Sequence, residues 1–400
     1  MSVRVCVSGV GMIPFSKPGA SETYDVMAGA AVRAALHDAG IDYARIEQAY
    51  VGYVYGDSAY GQKSLYPIGM TGIPIFNVNN NCATGATALF LARQAIESRA
   101  ADCVLALGFE QMTPGALDYM FNDRPRSLSR FEQLTDELLG SSNKLPFALR
   151  CFGGAGYEHM KRFGTKLETF AKIRAKASRH AAQNPLALFK KEVSADDVMA
   201  AETLWPGVMT RLMACPPTCG AAAAILCSEA FARKHGLSTE VQIRAQAMTT
   251  DYSAAFAAKD MRELVGASMA KSAAYQVYEK AGVGTEDIQV IELHDCFAHN
   301  ELITYEALGL CAEGEAEKFV EDGDNTYGGQ YVTNPSGGLL SKGHPLGATG
   351  LAQCFELVEQ LRGMAGARQV EGARFALQHN LGLGGACVVS LFERVGAGVA

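Results

Sequence analysis

Along the chain, short runs of Val, Ile, Leu and Ala alternate with helix-length amphipathic stretches. Runs that are apolar at every position suit strands covered on both faces, so the pattern predicts parallel sheets sandwiched by helices, an α/β protein. Strands are expected over residues 3–10, 48–54, 75–80, 102–107, 220–227, 288–293 and 374–377. Ala88, Leu89, Ala92 and Ile96 recur at helical spacing and mark the helix after the third of these.

The pattern also repeats. Ala35-Leu-His-Asp-Ala-Gly-Ile before strand 48–54 is echoed by Val277-Tyr-Glu-Lys-Ala-Gly-Val before strand 288–293, each a helix closed by a C-terminal glycine. Cys82-Ala-Thr-Gly-Ala-Thr-Ala-Leu and His344-Pro-Leu-Gly-Ala-Thr-Gly-Leu each read as the opening of a helix that leads to a further strand. Two related β-α-β halves, 1–236 and 237–400, are therefore expected to pack together. A stretch richer in Lys, Arg, Phe and Pro interrupts the first half and reads as a separate lid or loop domain. The expected division is 1–112 with 215–236, an insertion over 113–214, and 237–400.

Composition narrows the function. With 48% hydrophobic and 19% charged residues, the 400-residue chain is globular rather than disordered. A net charge of −7 and the absence of a Lys/Arg run argue against a nucleic-acid partner. No apolar stretch approaches the roughly 20 residues of a spanning helix, and strand 3–10 begins without a leader, so no membrane insertion and a cytoplasmic location are expected. Residues 396–400 carry no peroxisomal tripeptide. The eleven cysteines, Cys6, Cys103 and Cys227 among them, lie in apolar segments and read as reduced thiols. Cys215 and Cys219 have no second pair beside them, so no metal site is expected.

Cys82 follows a strand and begins a helix, where unpaired N–H groups and the helix dipole favour a thiolate. A lone cysteine of this kind is usually structural; the repeat changes that by placing His344 at the equivalent position, a base for the thiol. The segment Glu292-Leu-His-Asp-Cys-Phe lies where a strand ends, the place at which sites form in such sheets. An extended chain puts His294 and Cys296 on one face and turns Asp295 away as an orienting or capping group. Gly382-Leu-Gly-Gly lets the main chain approach a ligand and supply oxyanion donors. Gly9-Val-Gly-Met-Ile-Pro lacks the third glycine of a dinucleotide loop.

Four segments together, Asn79-Asn-Asn-Cys-Ala-Thr-Gly, His294-Asp-Cys-Phe, Asn334-Pro-Ser-Gly-Gly through Gly343-His-Pro-Leu-Gly-Ala-Thr-Gly, and Gln378-His-Asn-Leu-Gly-Leu-Gly-Gly, resemble the thiolases of the sterol-carrier-protein-2 type over nearly the whole chain. The resemblance implies the thiolase fold, two similar β-α-β-α-β-β halves in a layered αβαβα core with an inserted loop domain. It implies a 3-ketoacyl-CoA thiolase acting through an acyl-cysteine, with coenzyme A as co-substrate, no bound cofactor, and an acyl chain left open, branched or sterol-derived chains included. Cys82 would attack the 3-keto carbon and His344 would activate it; His294 and His344 would hold the enolate oxygen, and Cys296 would protonate its carbon. Backbone N–H groups of Cys82 and Gly384 would hold the acyl oxyanion. Most thiolases carry the second cysteine in the glycine loop, at the position of Gly382; the sterol-carrier type has it at Cys296. Coenzyme A phosphates are expected over 161–179, with Lys161 and Arg179 among the basic residues. The family also implies a homodimer, with a tetramer as the alternative, and a peroxisomal location if the chain derives from a longer eukaryotic protein. The rival readings are a decarboxylating ketoacyl-synthase-like enzyme, against which Cys296 speaks, a thiolase-fold aldolase, which should lack the pairing of Cys82 with Cys296, and a silent acyl-CoA-binding scaffold, against which all four reactive side chains speak.

Overall fold

Strands that are apolar throughout must be covered on both sides, and the computed structural model, which describes residues 3–114, 121–141 and 145–396, covers them. The strands are β1 (Val5–Met12), β2 (Gln48–Gly52), β3 (Ile75–Val78), β4 (Cys103–Glu110), β5 (Thr203–Trp205), β6 (Met209–Thr210), β7 (Gly220–Ser228), β8 (Val241–Thr249), β9 (Val290–Glu292), β10 (Val332–Thr333), β11 (Phe375–Gly382) and β12 (Ala386–Arg394). Six helices matter for the site: α1 (Tyr24–Ala39), α2 (Thr84–Glu97), α3 (Leu167–Ala182), α4 (Ala267–Ala281), α5 (Ala298–Ala307) and α6 (Thr349–Arg362).

All strands but β5 and β6 join one 10-stranded sheet in the order β10-β9-β11-β12-β8-β1-β7-β4-β2-β3. Read outward from the centre, each half has the same order, and the halves meet where β1 runs antiparallel to β8 with Cys6 opposite Gln242. In both, the outer three strands are parallel and the inner pairings antiparallel. The repeat seen in the sequence is thus a structural duplication.

Alternation along the strands sorts their side chains into layers. Val104, Ala106, Ala224 and Leu226 of the first half, with Val290 and Ala376 of the second, face a shared core with Leu89 and Ile96 of α2 and Leu351, Leu357 and Leu361 of α6. The opposite face of the first half, Leu105, Leu107 and Ile225, packs on Val32 and Leu36 of α1. That of the second, Ile291, Leu377 and Val389, packs on Met269, Ala273 and Val277 of α4. The result is the layered αβαβα arrangement, with α2 and α6 in contact at its centre.

That contact is made backbone to backbone. A Cβ on Gly350 would lie 2.1 Å from the Ala86 nitrogen, and one on Gly85 would lie 2.7 Å from the Gly347 oxygen. Only glycine lets the two helix starts approach so closely.

Two local expectations change. The loop before α6 is longer than the repeat implied: His344 lies ahead of the helix, which starts at Thr349, because the Pro345 carbonyl first accepts the Ala348 and Thr349 N–H groups in a turn. Nor does the insertion between β4 and β7 stand apart, since its Cys151, Phe152, Phe170 and Ile173 join the core of the second half. Among the described residues no helix is long and apolar enough to cross a membrane.

Candidate active site

Three segments converge where α2 and α6 touch. β3 delivers Asn79 to Cys82, β9 delivers His294, and a wide turn over Gly338–Lys342 delivers His344. The Cys82 sulfur and one ring nitrogen from each of His294 and His344 lie within 4.8 Å of one another. The two imidazoles meet edge to face with centroids 5.0 Å apart.

Local bonding explains the placement. Asn81 takes a left-handed φ of 51°, and its amide donates to the Leu383 carbonyl at 3.0 Å, fastening the cysteine turn to the glycine loop. A Cβ on Gly382 would lie 2.2 Å from the Asn80 carbonyl, so a cysteine there, where most thiolases carry one, has no room in this chain. β9 stops at Glu292 because the Leu293 N–H turns to the Asn334 side chain at 2.8 Å. His294 and Cys296 therefore reach the site through a turn rather than on one face of a strand. Asp295 does orient: its carboxylate accepts the Leu339 and Leu340 N–H groups at 2.7 and 3.3 Å and anchors the turn that leads to His344.

The hydrogen-bond network assigns opposite tautomers to the two histidines. The Asn380 amide nitrogen, which can only donate, lies 3.0 Å from His294 Nδ1, so His294 carries its proton on Nε2. The Thr349 hydroxyl donates to the Pro345 carbonyl at 3.0 Å and therefore accepts from His344 Nδ1 at 2.7 Å, leaving a lone pair on His344 Nε2. Both Nε2 atoms are buried without a partner among the described residues. One offers a proton and the other accepts one.

Both rings rest neutral. Burial, with the Lys342 cation, pushes His344 down to about 3, and burial with His344 and His379 holds His294 far below the usual range. Cys82 departs from expectation: burial and the Glu110 carboxylate push its thiol up to about 12, against the backbone of Cys82 and Leu383, which pull it down. α2 begins only at Thr84, and desolvation outweighs its N-terminal field. The resting pair is a thiol beside a neutral base, not a thiolate beside an imidazolium.

Cys296 is buried, and burial raises its thiol, followed by Cys215, Cys82 and Asp295. Cys215, unassigned from the sequence, stands opposite it, its N–H donating to the Cys296 carbonyl at 2.9 Å. Glu110 was also missed, although a carboxylate ending the otherwise apolar run of β4 was a readable signal. It is fully buried, accepts from the Val54, Tyr55 and Gly347 N–H groups at 3.1, 3.0 and 3.0 Å, and is raised by burial to about 7.

A cavity of about 580 Å³ opens on Cys82. The Asn79–Asn81 turn, the glycine loop with Gly384, and Phe121, Leu128, Phe147 and Phe152 line it, with Arg124 and Arg126 alongside. No residue of 161–179 does. There Lys161, Arg162, Lys166 and Lys172 pair with Glu158, Asp260, Glu317 and Glu321, while Arg174 donates to Ser341 and Lys176 is buried against Glu301. Arg179 lies at a separate hollow with His180 and Tyr327. Arg162, Lys166, Lys172 and Lys176 thus tie this stretch to acidic groups of the second half, and none of it lines the cavity over Cys82.

Comparison with known proteins agrees on both halves. Residues 5–230 match the family model of the thiolase N-terminal domain, and 251–392 that of the thiolase C-terminal domain-like family. Sterol carrier protein 2 of Homo sapiens is 56% identical over 394 residues, 98% of this chain and 72% of that protein. Two solved structures share the fold: the Ltp2-ChsH2(DUF35) aldolase, with a TM-score of 0.81 at 21% identity over 98% of each chain, and human mitochondrial 3-ketoacyl-CoA thiolase, with 0.74 at 18% over 98% of this chain and 99% of that one.

Proposed function

Because the chain belongs to the thiolase family, we propose that it is a 3-ketoacyl-CoA thiolase, an acetyl-CoA acyltransferase that cleaves 3-ketoacyl-CoA with coenzyme A as co-substrate. The observation that carries this reading is the pair of opposite histidine tautomers around one thiol. Addition of Cys82 to the 3-keto carbon sends the thiol proton to His344 Nε2. Because that transfer is uphill from the resting state, it accompanies carbon–sulfur bond formation rather than preceding it.

Rupture of the carbon–carbon bond releases an enolate whose oxygen meets the His294 Nε2–H and the now protonated His344. The Cys296 thiol donates to the enolate carbon, giving acetyl-CoA. Its thiolate then takes the proton of the incoming coenzyme A, whose sulfur attacks the acyl group on Cys82; the Cys82–acyl bond breaks to give the new acyl-CoA, and the Cys82 thiolate takes back the proton held by His344. N–H groups of Cys82 and Gly384 hold that oxyanion, a donor of this kind being worth about 3 kcal/mol. Arg124 and Arg126 at the cavity, paired with Asp123 and Glu132 in the substrate-free chain, are the cations that the phosphates would engage. The half-exposed Phe76 on edge strand β3 suits a second copy of the chain, a homodimer.

The same three groups resemble a metal site, but the His294 Nε2 keeps its proton while Asn380 donates to Nδ1, so that ring lacks the lone pair a metal requires. Acetoacetyl-CoA should be cleaved only when free coenzyme A is added, and Cys82→Ala should bring the rate below detection. Cleavage without coenzyme A would favour an aldolase, and full activity in the variant would sink the mechanism.

A further inference from the structure

One buried ion pair takes no part in the chemistry above yet touches both histidine segments. Glu292 ends β9, two residues before His294; Lys342 ends the Gly338–Lys342 turn, two residues before His344. Their Nζ and Oε2 atoms are 3.2 Å apart, with side chains 1% and 0% exposed. Glu292 also accepts the Ser336 N–H and hydroxyl at 3.1 and 2.8 Å, which ties in the loop ahead of the turn.

Burying two charges is costly, and an apolar pair of similar volume usually serves stability as well or better. The position of this pair gives it a use. We propose that Glu292–Lys342 is a positioning element of the reaction centre: it sets the separation of the segments carrying His294 and His344, and holds the Lys342 ammonium two residues before the His344 ring on which its charge bears. This rests on the thiolase reading and adds the groups that keep its base in place and uncharged.

The surroundings are consistent. Glu356 of α6 and Tyr327 bear on Glu292, Arg368 is bonded to Glu356 at 2.9 Å, and Asp295 with Arg174 of α3 lies beyond. The charge that bears on the His344 ring is that of Lys342. Burial is the larger reason that this ring stays neutral, and the Lys342 cation adds to it, so Nε2 keeps its lone pair into acidic solution.

The test is Lys342→Met, with Lys342→Arg as the charge-keeping control. Since Lys342→Met strands a buried carboxylate, Glu292→Gln/Lys342→Met is made alongside it. In the substrate-free protein, alkylation of Cys82 by iodoacetamide is followed against pH by mass spectrometry of the Cys82 peptide. Base assistance should be lost on acidification at a higher pH in both charge-removing variants than in wild type and Lys342→Arg; burial, the larger cause of the neutral ring, is untouched and keeps that pH below the ordinary histidine value of about 6.5. Thiolysis of acetoacetyl-CoA should fall tenfold or more in kcat, with KM within about twofold. An alkylation profile that is unmoved in both charge-removing variants overturns the proposal, whether or not kcat falls, because a kcat loss alone would mark packing. A shifted profile in a wild type that cleaves no 3-ketoacyl-CoA would support the positioning role and overturn the functional reading instead.

Discussion

The two halves share a strand order and a helix pair, yet they hold their parts of the site in different ways. The first half presents Cys82 from a short turn of asparagines, bonded within itself and to the glycine loop. The second half embeds His294 and His344 in buried charge: Glu292 with Lys342, Glu356 with Arg368, Glu301 with Lys176, and Asp295 on the turn. Its edge strand β10 is two buried residues with α3 beside it, its neighbour Asn334 accepting from His180 at 3.0 Å, whereas β3 leaves Phe76 half exposed. Duplication makes the segments meet. What each half contributes then depends on whether a tight turn suffices, as for a single thiol, or an ionic frame is needed, as for two rings held in opposite tautomers.

The most severe way to break the comparison is at the joint between the halves. Gly350→Val forces side-chain atoms into the Ala86 backbone and should cost at least about 3 kcal/mol of stability, read by denaturant unfolding, with activity lost through separation of Cys82 from His344. A stable, active variant would show that the halves are not held by this contact.

Cys296→Ser tests the second half alone. Exchange of the acetyl-CoA α-protons should fall by about 10²-fold while acyl loading of Cys82 persists. Undiminished exchange would remove Cys296 from the reaction.

Acid should separate the halves. In the second half, burial holds His294, His299, His344 and His379 below their unfolded pKa, which leaves the unfolded chain binding more protons as pH drops from about 6.5 towards 3, so stability is lost on acidification. Glu292 and Asp295 are raised and act in the opposite sense, but the four rings outnumber them. In the first half Glu110 is raised to about 7, and its contribution, fully present below about 4.5, is lost as pH rises through 7. Amide protection factors, taken relative to the intrinsic exchange rate at each pH, should therefore fall more in β9 and β11 than in β4 and β7 between pH 7 and pH 5; an equal fall would mean that the halves open as one unit.

The smallest effect is expected at the cavity mouth. Arg126→Ala should raise KM for coenzyme A several-fold with kcat nearly unchanged, since a partly solvated cation contributes about 1 kcal/mol. An unaltered KM would move the phosphates elsewhere.

Much of this was legible in the sequence because it is local or repeated. The all-apolar strands, the twin glycine-closed helices, and the Gly-Ala-Thr segments that follow Cys82 and His344 all carry their signal within a few residues. What escaped depends on desolvation and long-range pairing. Nothing near Cys82 in the chain shows that Glu110 will lie close enough to raise its thiol, and nothing in 161–179 shows that its cations will be occupied by Glu301, Glu317 and Glu321. The longer loop before α6 turns on a Pro345 carbonyl that a motif comparison treats as one more residue.

The glycine contact between α2 and α6 also bears on what the chain can change without cost. Because main-chain atoms hold the two helix starts together, the side chains that wall the cavity, Phe121, Leu128, Phe147 and Phe152, can be exchanged without touching that joint.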